Sequence, residues 1–299
     1  MWRLTKAVRT LARYSFFMQA EQISDLPWPA RTALCVARLG TTAPAENASN
    51  QITAALSALG PSYIKLGQFL ATRPDIIGAK RAFELRSLQD RLPPFSMREA
   101  RDIIRANLGQ DVEHFFAAFA EPMAAASIAQ VHKARTTDGM DVAVKILRPG
   151  IERRFADDLE SFFFAARMMA LVSGEARRLR PVDAVKMLEH SMKLELDLRM
   201  EASAISEMAQ NTGDDPQFRV PRVDWLRTAR QVLTTEWIDG TPLSDQAALR
   251  AQGFDHQGLG NVMIQSCLRP ARLAGYVMHD RTAGTSGGTG AGNAGGCGC

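Results

Sequence analysis

Lys145 closes the stretch VAVK (Val142–Lys145), a lysine set among β-branched and small residues. An ammonium fixed on a half-buried strand can meet phosphate oxygens, and a carboxylate is needed to hold it in place. Glu195, Asp197 and Glu201, in KLELDLRMEASAISE, are the candidates for that carboxylate. A second pair, Lys65 and Gln68, lies at i and i+3 in GPSYIKLGQFLATRPDIIG (Gly60–Gly78), so both share one face of a helix. Read alone, a strand lysine such as Lys145 is more often a solvated residue, and one such as Lys65 more often a lysine snorkelling beside a core helix.

The elements that must carry these residues follow from local signals. Gly60-Pro61 starts the helix of Lys65 and Gln68, and Arg73-Pro74 stops it. Helical periodicity runs from about Gln51 to Pro93-Pro94, and again from Ser96 to Gly109, where Ser96 and Glu99 have capping-box spacing. EHFFAAFA and QVHKARTT read as strands, Asp138-Gly139 as a hairpin turn, and DVAVKIL (Asp141–Leu147) as the next strand. A long helix is expected from Ile151 to about Val172 and another from Pro181 to about Asn211. RVDWLRT and RQVLTTEWI add two strands, with Asp239-Gly240 as the following turn. The expected fold class is α+β: a five-stranded antiparallel sheet with a long helix packed on it.

On a continuous helix, Glu195 and Glu201 point about 120° apart. Two carboxylates reaching two separate lysines would account for such acids, as would ordinary solvated charge. The connector EPMAAASIAQVHKA carries Ala124, Ala125, Ala126 and Ser127 where phosphate-cradling loops carry glycines. It also fits a plain helix start with Ser127 near the cap.

Together, KLGQ (65–68), AAASIAQVH (124–132), VAVK (142–145), ELD…E (195–201) and TTEWIDGTPL (234–243) resemble the UbiB/ADCK family of atypical kinase-like proteins, in that order. The resemblance implies a protein-kinase-like N-lobe over residues 111–238, a helical extension over 50–110 and a hinge with the start of a helical C-lobe over 239–275. By the same resemblance Lys145 pairs with Glu201 and Lys65 with Glu195. Gln68, the alanine segment Ala124–Ser127, Glu236 and Ile238 line a site for ATP or ADP. Lys65, Gln68, Glu195 and Asp197 are regulatory, Asp197 being the last carboxylate of an ExD motif. Mg2+ is expected for the family, with activity on a small molecule or lipid in support of ubiquinone biosynthesis at membranes.

The chain departs from the family pattern after about Leu268. A catalytic loop of the HxDxHxGN kind and a DFG-like metal strand are not found, so the expected metal ligands are missing and no catalytic set is complete. His279-Asp280 lacks the remaining members, and residues 276–299 read as a Gly/Ala-rich flexible tail. The GxGxxG at Gly290, Gly292 and Gly295 has no strand before it or helix after it, and is rejected. The composition break suggests a frameshifted or truncated reading frame near Cys267–Leu273, with a natural flexible tail as the alternative.

The remaining bounds come from composition. The chain has 299 residues, 46% of them hydrophobic, and a net charge of +4, enough for a real core and compatible with nucleotide phosphate or a membrane surface. No apolar run reaches about 18 residues, the length a spanning helix requires. Four scattered cysteines exclude a disulfide framework, and Cys297 with Cys299 lacks a second pair for zinc. Arg3, Lys6, Arg9 and Arg13 share a face in the segment 1–40. They fit an interfacial helix, a transit segment or a surface helix. The expectation is a cytoplasmic protein, peripheral at the inner face of a membrane. Its expected partners are a nucleotide, a membrane surface or isoprenoid lipid, and ubiquinone biosynthesis proteins, with no nucleic acid. The competing function is a non-catalytic membrane-associated binding or scaffold module.

Overall fold

The computed structural model describes residues 48–88, 92–172, 174–213, 218–243 and 245–253, with isolated positions and two short strands outside these stretches. Apart from Ala7, Arg9 and Thr10, the basic N-terminal segment lies outside the described residues, as does His279-Asp280. In chain order the helices are α1 (Ala48–Leu59), α2 (Pro61–Ala71), α3 (Pro74–Ile77), α4 (Ala79–Leu85), α5 (Met97–Leu108) and α6 (Val112–Phe115). Strands β1 (Phe116–Ala125), β2 (Ala129–Thr136) and β3 (Asp141–Leu147) follow, then α7 (Ile151–Val172), α8 (Gly174–Arg178), α9 (Pro181–Glu195) and α10 (Leu198–Asn211). After these come β4 (Phe218–Arg219), β5 (Val232–Glu236), β6 (Thr241–Pro242) and α11 (Gln246–Ala251). The described residues fall into two compact units, one of Met1–Pro93, Ala126–Ile128 and Gly150–Lys193, the other of Pro94–Ala125, Ala129–Pro149 and Leu194–Cys299.

In the first unit, α2 begins at the expected Gly60-Pro61 boundary, with Gly60 at φ 100°. Arg154 of α7 donates to the Leu59 carbonyl at 2.9 Å, and a Cβ at Gly60 would fall on its guanidinium. Tyr63 and Ile64 are buried, and Tyr63 meets Phe162 of α7 edge-on at 5.0 Å between ring centroids. Gly67 lets the helix approach Leu56 and Leu88, whose methyls would lie within 2.7 Å of an added Cβ. The glycine of the KLGQ stretch is thus a packing residue, and it fixes how deeply the helix seats.

In the second unit, one antiparallel sheet runs in the order β1-β2-β3-β5. The β2–β3 hairpin turns at Asp138-Gly139 as expected, with Gly139 at φ 90°. Val142, Val144, Ile146 and Val232 alternate onto one sheet face and pack with Ala100 and Ile104 of α5. The Ser96–Glu99 capping box that starts α5 is formed.

Two expectations are corrected and one alternative is excluded. The sheet has four strands, not five, because Arg222–Thr228 is mostly a turn: Asp224 caps a 3-10 turn at Trp225–Arg227 by accepting from the Leu226 and Arg227 amides. The helix expected from Pro181 to Asn211 is two helices, broken at Leu196–Asp197. Its break comes from Asp197, whose side chain accepts from the Arg199 amide and caps a new helix. The alanine segment is not a helix start: Ala124 and Ala125 complete β1, and Ser127 is buried in the short connector to β2. A second sheet, ordered β4-β8-β7-β6, includes β7 (Ser286–Gly288) and β8 (Ala294–Cys297), which fall in the segment read as a tail.

Candidate functional site

Lys145 stands in the middle of the four-stranded sheet. Val131 of β2 lies opposite it on one side and Leu233 of β5 on the other. Ala124 of β1 lies opposite Val131. Directly paired residues share a face, so Ala124, Val131, Lys145 and Leu233 form a row across all four strands. Lys133, Ala143 and Thr235 form the next row, and the Lys133 ammonium sits 4.7 Å from the Trp237 ring centroid. This face carries small and apolar residues around two lysines, Lys145 and Lys133, and the opposite face is the core against α5.

The Lys145 ammonium donates to both oxygens of Glu201, each at 2.8 Å. The side chains are 21% and 34% exposed, so the pair is neither freely solvated nor fully dry. Glu201 lies in the first turn of α10. That helix is docked by buried Leu198 and Ala202 and by the Leu198 amide, which donates to the Arg230 carbonyl at 2.9 Å. Asp197 ends the continuous helix before Glu201, so the angles of a continuous helix do not apply to it.

Asp197 is engaged locally: its carboxylate accepts from the Arg199 guanidinium at 2.6 and 2.9 Å and caps α10. The Arg199 guanidinium holds its carboxyl below the usual carboxylate range. Glu195 is the last residue of α9. Lys65 and Gln68, both half-buried on α2, belong to the first unit and Glu195 to the second. Glu236 pairs opposite Val142, on the α5 side of the sheet, and its carboxylate meets Arg219 and the Arg222 amide. Its amide donates to the Arg222 carbonyl at 2.8 Å; Ile238 follows β5, half-buried. Ala124 is on the Lys145 face, while Ala126 and Ser127 belong to the connector in the first unit.

The structure adds residues that spacing alone did not single out. Gln130 and His132, inside AAASIAQVH, are fully buried on the core face. The His132 Nδ1–H donates to the Ala120 carbonyl at 2.9 Å, and Nε2 accepts from the Gln130 amide, also at 2.9 Å. The Gln130 carbonyl oxygen accepts from the Phe95 amide at 3.0 Å. This chain ties β1, β2 and the approach to α5 together, and burial pushes the His132 pKa down. Period-two alternation of Gln130, His132, Ala134 and Thr136 was the available signal, because it places two polar groups on an apolar face. Buried Arg227 donates to Asp224 (2.6 Å), Asp138 (2.8 Å) and the Phe115 carbonyl (3.1 Å), fastening the β2–β3 hairpin to the turn before β5.

Among the described residues, no group of three or more His, Cys, Asp or Glu side chains is arranged to hold a metal ion. No described helix is long and apolar enough to cross a membrane.

Residues 87–285 match the ABC1 atypical kinase-like domain. The chain is 38% identical over 245 residues to the "Probable protein kinase UbiB" of Marinobacter nauticus, covering 81% of this chain and 45% of that protein. It is 43% identical over 202 residues to that of Azotobacter vinelandii, covering 67% and 38%. The chain thus spans about half the length, or less, of these curated relatives. The solved structure of Rv3197 with erythromycin, from Mycobacterium tuberculosis, aligns with a TM-score of 0.54 at 27% identity, over 83% of this chain and 62% of that one.

Proposed function

The chain belongs to the ABC1 atypical kinase-like family and is of the UbiB type, and from that premise we propose that it binds ATP or ADP on the Lys145 face in support of ubiquinone biosynthesis. The observation that carries the reading is the Lys145–Glu201 pair, a cation held by two bonds of 2.8 Å between apolar Val131 and Leu233. Held this way, the ammonium is oriented toward phosphate oxygens before nucleotide arrives, and less ordering is needed on binding. Of that row, exposed Ala124 and half-buried Val131 offer apolar contact for a base, while Leu233 is fully buried beneath it. Alanine at 124 also keeps side-chain bulk where glycine would let the main chain close on a phosphate.

Lys65 is assigned to Glu195 as a second ion pair, with Gln68 lining the nucleotide and Asp197 completing the regulatory acids. Exchanging the charges (Lys65→Glu with Glu195→Lys) should restore nucleotide binding that either single change weakens; no restoration would end that assignment. Phosphoryl transfer needs, besides the clamp, a carboxylate positioned on the acceptor and ligands for Mg2+. The described residues do not fit a Mg2+ cage, because Glu201 is bonded to Lys145 and Asp197 to Arg199 and its own helix. The activity assigned to them is nucleotide binding.

The test is calorimetric titration of the full chain with ADP, with and without Mg2+. Lys145→Ala should abolish binding; unchanged affinity would refute the site.

A second reading, a membrane-associated module without catalysis, is favoured by one surface. Phe164, Met168 and Leu171 lie within about 60° of one another on α7, and all are exposed, at 49%, 44% and 71%. Arg167, Arg177, Arg178, Arg180 and Lys186 are nearby in the chain, against Glu175 and Asp183. Exposed apolar groups beside clustered cations suit an anionic bilayer. Co-sedimentation with anionic vesicles that persists after Phe164, Met168 and Leu171 are all changed to Ser would refute it.

A further inference from the structure

Both partners of the Lys145–Glu201 pair are fastened, through main-chain bonds, to one two-residue turn. The turn lies between Ala229 and Val232, which close on each other by amide-to-carbonyl bonds of 2.7 and 3.3 Å. Its first inner carbonyl, Arg230, accepts from the amide of Leu198, the first residue of α10. That amide is one of the donors a helix start cannot satisfy internally. Glu201 lies three residues further on, less than one helical turn away, so a shift of the helix start moves its carboxylate. The second inner carbonyl, Gln231, accepts from the Leu147 amide at 3.0 Å. Leu147 is two residues beyond Lys145 on the same strand face.

The turn is locked from the opposite side of the sheet by Asn107 in the last turn of α5. The Asn107 side-chain oxygen accepts from the Gln231 amide at 3.2 Å, and its nitrogen donates to the Gln231 side-chain oxygen at 3.0 Å. Its second N–H goes to the Ile103 carbonyl at 2.9 Å, so both its donors and its carbonyl are used. We propose that Asn107 is a positioning residue for the Lys145–Glu201 pair, acting through the Arg230–Gln231 turn. The mechanical link is short: α5 holds the turn, the turn holds the ends of β3 and α10, and those two elements carry the cation and its carboxylate. Asn107 reaches neither charged group itself.

This inference rests on the nucleotide reading only for its effect on affinity, and its test is built to separate the two. In the full chain, labelling of Lys145 by an amine-reactive reagent is followed by mass spectrometry, since an ammonium clamped by a carboxylate is slow to react. Asn107→Ala removes both side-chain bonds to Gln231 and should speed labelling about tenfold, toward the low end of what two hydrogen bonds of ordinary net strength carry. It should weaken ADP binding by a similar factor. Ile104→Val, in the buried core of the same helix, lowers stability without touching the turn and should leave the labelling rate unchanged. If Asn107→Ala does not fold, Asn107→Asp keeps an acceptor for the Gln231 amide and loses both donors, one of them to the turn, and should speed labelling about threefold. Labelling at the wild-type rate in the folded Asn107 variant, or equal acceleration by Ile104→Val, overturns the proposal. A wild-type chain that binds no ADP overturns the nucleotide reading, and the labelling comparison still decides the role of Asn107.

Discussion

Removing either partner of the Lys145–Glu201 pair should cost stability, and removing both should cost less than the sum. The pair makes two charge-assisted bonds of 2.8 Å, with side chains 21% and 34% exposed. At a separation of about 4 Å and an effective dielectric constant of about 20, two unit charges attract by about 4 kcal/mol. Ordering two long side chains and partly drying them offsets most of this. Fully exposed pairs retain about 0.2–1 kcal/mol, whereas truncating one partner of a buried pair costs about 3–5 kcal/mol. The intermediate exposure places the coupling at about 1.5 kcal/mol. Lys145→Met keeps the aliphatic stem and Glu201→Gln keeps the shape, so the double-mutant cycle isolates the charge interaction. Urea denaturation of the four proteins measures it. Glu201→Gln should also weaken ADP binding about tenfold, the change equivalent to about 1.4 kcal/mol. A coupling below about 0.3 kcal/mol, the scatter of independent sites, would show that the two groups are neighbours without mutual support.

Two further outcomes follow from the buried polar groups. Burial depresses the His132 pKa in the folded chain, so the unfolded chain binds the extra proton. The resulting stability is complete above the unfolded value of about 6.5 and falls as pH drops toward the folded pKa, at up to about 1.4 kcal/mol per pH unit. Urea midpoints between roughly pH 5 and 7 should show this slope in the wild type; an equal slope in His132→Gln would exclude His132 as its source. Arg227→Met should destabilise by about 3 kcal/mol, because Asp224 and the Phe115 carbonyl lose a buried partner. Arg227→Lys should recover less than half of that by thermal denaturation, since an ammonium cannot reproduce the guanidinium fork; full recovery would refute the argument.

Much of the local structure was legible from the chain. Gly60-Pro61, the Ser96–Glu99 box, the Asp138-Gly139 turn and the helix from Ile151 to Val172 all act within a few residues of themselves, and each appears where those residues place it. Lys145 stood out because one cation interrupts a β-branched strand. The misread elements were those in which a local competitor won. Apolar periodicity continues past Asp197, yet its side chain caps a new helix; β-prone residues fill Arg222–Thr228, yet Asp224 closes a 3-10 turn there.

The sequence by itself determined most of the strand and helix segments and which lysine would stand at the centre of the VAVK strand, because backbone preference and side-chain period are short-range. Only the tertiary structure decided how Glu201, the carboxylate that the family resemblance pairs with Lys145, is brought to it past the helix break, which face Glu236 turns to, and that Asn107, Gln130, His132 and Arg227 are the fasteners around them. Those partners are separated by up to more than a hundred positions in the chain. Their pairing is selected by the requirement that polar groups leaving water together find one another, and no local pattern encodes that condition.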